Sequence, residues 1–93
     1  MGSYELMIIL RPDIDPTDNK KRDSILEKLL GADAKYIKET VSMGKKRLAY
    51  EIDKNHEGVY NLVKLEAPHL EAGLMRKQAK LMPEIVRFLL LSV

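Results

Sequence analysis

Few residues in this chain are of types that could do chemistry, and their spacing narrows what chemistry is open to them. His56 lies in a polar stretch and His69 follows Pro68, with no HxH or HExxH spacing that would set two imidazoles on one metal. Ser3, Ser24, Ser42 and Ser92 lack the GxSxG setting of a nucleophile, and no GxGxxG or GxxxxGK loop is present to cradle a phosphate. The acidic residues are scattered or stand beside Lys and Arg, away from the apolar settings that raise a carboxyl pKa. The chain has no cysteine, which excludes disulfides, thiolate metal sites and a cysteine nucleophile and fits a reducing cytosol. These residues argue against an enzyme and give no cofactor, metal or small-molecule substrate a place.

Positive charge is what remains. Cations fall into three local sets: Lys20-Lys21-Arg22, Lys45-Lys46-Arg47, and Arg76-Lys77 with Lys80. A charge run is commonly a solvated face, but Lys45, Lys46 and Arg47 follow Gly44, where a bent strand can aim several cations outward at phosphates. Arg87 is a single cation within the apolar end of the chain. It reads either as half of a salt bridge, with Glu5 on a neighbouring strand, or as a phosphate ligand held on a rigid element.

The elements that position these groups follow from periodicity. Residues 4 to 10 form a β-branched, apolar run stopped by Arg11-Pro12-Asp13, which predicts a central strand. Asp15 offers an N-cap oxygen and Pro16 suits a first helical turn. With Ile25, Leu26, Leu29 and Leu30 at helical spacing and Gly31 able to end the helix, this predicts a helix over 16–30. Along 34–52 the apolar residues change parity, from Ile37, Val41 and Met43 to Leu48, Tyr50 and Ile52, which reads as a bulge near Gly44 or a slip between two short strands; one long bent strand is the favoured reading.

The polar stretch 53–58 reads as a hairpin loop, 59–67 as a strand, and Pro68 as the start of a helix carrying Leu70, Leu74, Met75, Leu81 and Met82 on one stripe. Pro83 ends it, and 85–91 reads as the last strand. The order strand, helix, strand, strand, helix, strand is that of an α+β ferredoxin-like split β-α-β fold in one domain, a four-stranded antiparallel sheet with both helices on one face. Alternation puts Leu6, Ile8, Leu10, Phe88 and Leu90 beneath the helices. It leaves Met7, Ile9, Tyr60, Leu62, Leu89 and Leu91 on an open face, a large apolar patch of the kind that marks a protein interface.

Ninety-three residues with 45% hydrophobic and 32% charged side chains suit one soluble domain with one core. Sixteen Lys and Arg against fourteen Asp and Glu leave a net charge of only +2, so local placement rather than bulk charge must argue for nucleic acid. The apolar runs are far below the roughly 20 residues that span a bilayer, so a membrane is not expected as a partner.

Gly44-Lys45-Lys46-Arg47-Leu48-Ala49-Tyr50-Glu51-Ile52 resembles the signature of the bacterial ribosomal small-subunit protein six family. Tyr4-Glu5, Glu57-Gly58 with Tyr60, and Ile85-Val86-Arg87-Phe88 extend the likeness over essentially the whole chain. The resemblance implies a ferredoxin-like fold and a place on the cytoplasmic ribosome. It also implies binding to the central domain of small-subunit rRNA together with ribosomal small-subunit protein eighteen. By position, Tyr4, Lys46, Arg47 and Arg87, with the adjoining Lys45, are the expected RNA contacts. The sheet face and the long second strand, with Tyr50, are the expected protein contact. The charged tail that many relatives carry past the last strand has no counterpart after Val93, so its contacts are not carried over.

Two other readings share this topology. A ligand-sensing regulatory module would bind a metabolite and ignore RNA. An acylphosphatase-like enzyme would need an anion-binding loop between the first strand and first helix, where residues 11 to 15 carry acids and no glycine. RNA-recognition domains stack bases on aromatic strand residues, and the matching strands here offer only Tyr4 and Tyr60, so the open face suits protein better.

Overall fold

A computed structural model describes residues 2–52 and 55–93. Strand β1, Gly2–Leu10, begins two residues before the expected start because Gly2 and Ser3 pair with Ala67 and Glu66. Helix α1, Asn19–Leu30, starts later than predicted. Asp15 does not cap it; its carboxylate accepts from the Thr17 backbone N–H at 2.9 Å and the Thr17 hydroxyl at 2.7 Å, closing a local turn. The cap is Asp18, which accepts from the Lys21 N–H at 3.0 Å. Gly31, at φ 60, ends the helix as expected, and a 3-10 turn over Gly31–Tyr36 then packs Ala34 and Tyr36 on the core.

Strand β2, Ile37–Ile52, and strand β3, Asn55–Ala67, form the long hairpin. Glu57 and Gly58 of the predicted loop already pair with Arg47 and Lys46; Asp53 and Lys54 of that loop lie outside the described residues. Helix α2, Ala72–Lys80, starts four residues beyond Pro68, with Glu71 at the N-cap position but making no side-chain capping bond. Only part of its expected stripe is buried. Leu70, Met75 and Met82 join the core, whereas Leu74 and Leu81 stay 64% and 77% exposed, because the short helix meets the sheet along one narrow line. Strand β4, Ile85–Ser92, closes the chain.

The sheet order is β2-β3-β1-β4, antiparallel throughout. Leu6, Ile8 and Leu10 of β1, Val59, Val63, Leu65 and Ala67 of β3 and Ile85 of β4 pack against Ile25, Leu26, Leu29 and Leu30 of α1 and Met75 of α2, with Phe88 and Leu90 at the margin. Both helices therefore cover one face, the ferredoxin-like arrangement expected from element order and alternation. Burial of these aliphatic groups, at about 1.5–3 kcal/mol per large side chain, is what holds the layers together.

Of four register irregularities among the described residues of the sheet, the one at Ser42/Gly44 in β2 and the one opposite Ile9/Leu10 in β4 most affect which residues reach the other face. In β2 the register slips by one between Ser42 and Gly44, with Gly44 at φ 78, a conformation that glycine adopts without Cβ strain. The slip leaves Val41, opposite Leu62, and Gly44, opposite Tyr60, on the same face, which Lys46, Leu48 and Tyr50 continue by alternation. The parity change in the sequence thus keeps one face continuous. In β4, Ile9 pairs with Arg87 and Leu10 with Ile85, so Val86 is the extra residue and Ile85 and Arg87 point to opposite faces.

Candidate nucleic-acid and protein interface

The open face is a grid of rows across the sheet. One row runs Val41, Leu62, Met7, Leu89; its neighbours run Gly44, Tyr60, Ile9, Arg87 on one side and Glu39, Lys64, Glu5, Leu91 on the other. Met7, Ile9, Tyr60, Leu62, Leu89 and Leu91 therefore share a face, as alternation predicts. Leu89 and Leu91 are 55% and 50% exposed, and Val41 and Met43, on β2 at the opposite edge of the sheet, are exposed as well. The last two were missed as face residues because the bulge hides their parity.

The face is not bare at its far end. Ile9 is only 9% exposed and Leu48 8%, yet neither belongs to the main core. Both stand around Gly58 and line one cavity at the distal end of β2. Tyr50 reaches Arg87 on the opposite edge strand, and its hydroxyl accepts from an Arg87 guanidinium N–H. With strands about 4.8 Å apart, the Tyr50 and Arg87 side chains and the curl of the hairpin together span the three intervals between β2 and β4, roughly 14 Å. Beneath them lies a cavity of about 230 Å3, lined by Met7, Ile9, Leu48, Tyr50, Tyr60 and Arg87. Gly58 makes the closure possible: a Cβ there would lie 2.4 Å from Ile9 Cγ2 and 3.6 Å from Leu48 Cδ2.

Arg87 consequently has no salt bridge to Glu5, which pairs with Leu91 two rows away. Its partner is the neutral Tyr50 phenol, which fixes the guanidinium without cancelling its charge. Lys46, opposite Gly58, adds a cation to the same end of the open face, and Lys45 and Arg47 flank it with alternating direction. Lys45 turns toward the loop before α1, where its charge adds to the effect of Thr17. The Asp15 carboxyl is held below its usual 3.8, first by the Thr17 backbone N–H, then by the Thr17 hydroxyl, and last by Lys45. Lys45, Lys46, Arg47 and Arg87 are all exposed.

Tyr4 stands apart from them. It lies on the helix side, opposite Leu65 and Ser92, half-buried against the core. Seven residues of strand, roughly 23 Å, separate its row from that of Lys46 and Gly58. The described residues include no group of three or more His, Asp or Glu that could hold a metal, and no helix long and apolar enough to cross a membrane.

Comparison with known proteins agrees with this geometry. The family model described as ribosomal protein S6 matches residues 3–92. The chain is 34% identical over 92 residues to small ribosomal subunit protein bS6 of Onion yellows phytoplasma, covering 99% of this chain and 97% of that protein. It is 36% identical over 86 residues to the Gloeobacter violaceus protein of the same name, covering 92% of this chain and 90% of the relative. To the Koribacter versatilis protein of that name it is 32% identical over 91 residues, 98% of this chain but 62% of that longer relative. Its fold matches the crystal structure of 30S ribosomal protein S6 from Thermotoga maritima with a TM-score of 0.80 at 24% identity, over 99% of this chain and 87% of that one. The chain belongs to the ribosomal protein S6 family, which is structural and non-enzymatic and works on the cytoplasmic ribosome.

Proposed function

We propose that this chain is a structural constituent of the bacterial small ribosomal subunit that binds the central domain of small-subunit rRNA jointly with ribosomal small-subunit protein eighteen. The observation that carries the reading is the open sheet face, whose apolar row lies beside a cluster of cations. The row of Val41, Leu62, Met7 and Leu89, with Leu91 beside it, holds the protein partner. Lys46 and Arg87 on the open face, with Lys45 and Arg47 on the other side of β2, neutralise RNA phosphates at this end of the sheet. Because the two surfaces adjoin, RNA and protein partner meet on this chain and each strengthens binding of the other. Tyr4, set apart on the helix side, is proposed to contact RNA separately.

Leu62→Asp tests this directly. Leu62 is partly buried on the open face, so the variant sets a charge against the partner's apolar surface, and circular dichroism checks that it is folded. The rRNA affinity gained on adding protein eighteen is expected to disappear while the affinity of the chain alone is unchanged. A gain equal to that of wild type would remove the apolar row from the interface.

A further inference from the structure

A second cavity, of about 540 Å3, lies beyond the open face, between the C-terminal part of α2 and β4. Three cations line it, Arg76 and Lys80 from α2 and Arg87 from β4, with Phe88 and Met82 among its apolar walls and no carboxylate. Arg76 and Lys80 are four residues apart on one helix face, where like charges repel. Among the described residues neither has an ion-pair partner. Lys80 ends the helix, where the dipole favours a cation. Arg76 lies a turn earlier, outside that explanation.

β4 is an edge strand, and the bulge at Val86 sends Arg87 to the open face beside this notch. Arg87 lines both this cavity and the one under the β2 arm. The cationic end of the open face therefore continues around the β4 edge to α2 as one surface.

The geometry points to this notch as a second phosphate-binding site for RNA. Arg76 and Lys80 bind the sugar-phosphate backbone after it leaves Arg87 and turns around the β4 edge, and Arg87 is shared between the two sites. Side chains at this spacing start about 6 Å apart, close enough for both to meet one stretch of backbone. The inference rests on the RNA-binding reading above and adds where the strand goes.

The test titrates full-length Arg76→Ala/Lys80→Ala into a central-domain rRNA fragment with protein eighteen over a range of salt, beside wild type and Lys46→Ala/Arg47→Ala. All three cations of the notch are exposed, and circular dichroism of each variant checks that it is folded. At roughly 0.7–0.9 for each phosphate no longer neutralised, the double variant flattens the slope of log affinity against log salt by about 1.5. Arg76→Lys/Lys80→Arg, which keeps both charges, retains the wild-type slope. A double variant with the wild-type slope and affinity, while Lys46→Ala/Arg47→Ala flattens, overturns the notch and leaves the RNA reading standing. Salt-insensitive or absent binding by wild type overturns both.

Discussion

Replacing Gly58 by Ala probes the closure of the β2 arm over the sheet. The added Cβ would stand 2.4 Å from Ile9 Cγ2, with the Leu10 carbonyl oxygen 3.3 Å away on another side. Carbon atoms rest at about 3.5–4.0 Å, so Ile9 must retreat by more than about 1 Å. It cannot do so by a small rotation, because a β-branched side chain on a strand has few χ1 choices and its backbone is fixed by pairing with Tyr60 and Arg87. Overpacking of this kind costs about 1–3 kcal/mol. At about 4–8 °C per kcal/mol for a domain of this size, a cost near the middle lowers Tm by about 8–16 °C.

The contact is separable by a double-mutant cycle in denaturant. Ile9→Ala alone destabilises by about 2 kcal/mol, the low end for a large-to-small change, since Ile9 packs outside the main core. In that background the clash is gone, and Gly58→Ala becomes neutral or slightly favourable because Ala restricts the unfolded chain. The coupling energy is then about 2 kcal/mol, well above the additivity error of roughly 0.5 kcal/mol. Gly44→Ala is the control. Its cost of about 1–2 kcal/mol comes from φ 78 and not from a neighbour, as nothing lies within 4 Å, so Ile9→Ala does not relieve it. Additive effects of Gly58→Ala and Ile9→Ala would refute the packing described for the arm.

Three other outcomes are expected. Lys46→Ala/Arg47→Ala weakens rRNA binding and flattens its salt dependence by about 1.5 in log–log slope, read by filter binding; an unchanged slope takes both residues out of the site. Tyr50→Phe removes the acceptor that holds Arg87 while leaving the unfolding midpoint within about 0.5 kcal/mol of wild type, and rRNA affinity falls by about threefold to tenfold. Equal affinity would show that the phenol does not position the guanidinium. Because hydrogen bonds lower the folded pKa of Asp15, its contribution is present above the unfolded value of 3.8 and lost as pH falls through the folded one. Asp15→Asn therefore lowers the denaturant midpoint at neutral pH, and the difference from wild type shrinks as acid protonates Asp15; a difference constant with pH would contradict this.

Alternation and punctuation carried most of the fold. The run at 4–10 has apolar residues on both sides and became a central strand, and Phe88 and Leu90 separated cleanly from Leu89 and Leu91. Element starts were harder to read because competing local bonds decide them: Asp15 and Asp18 are both competent caps, and Thr17 captured the first. Glu57 and Gly58 look like loop residues, yet the length of β2 draws them into pairing.

For the candidate site, the cations stood out by their types and the apolar face by its period. The meeting of Tyr50 with Arg87, thirty-seven residues away, has no local signal, since it depends on how far the β2 arm curls across the sheet. The likeness of residues 44–52 to a known signature placed Lys46, Arg47 and Tyr50 in one segment. It could not show which face of the sheet Lys45 and Lys46 each take, which the bulge at Gly44 determines.

The most direct measurement of the central claim is a titration of the wild-type chain into a central-domain small-subunit rRNA fragment, with and without ribosomal small-subunit protein eighteen. Tight, salt-sensitive binding is expected with the partner present and much weaker binding by the chain alone. Absence of binding under both conditions, by protein that circular dichroism shows to be folded, would contradict it.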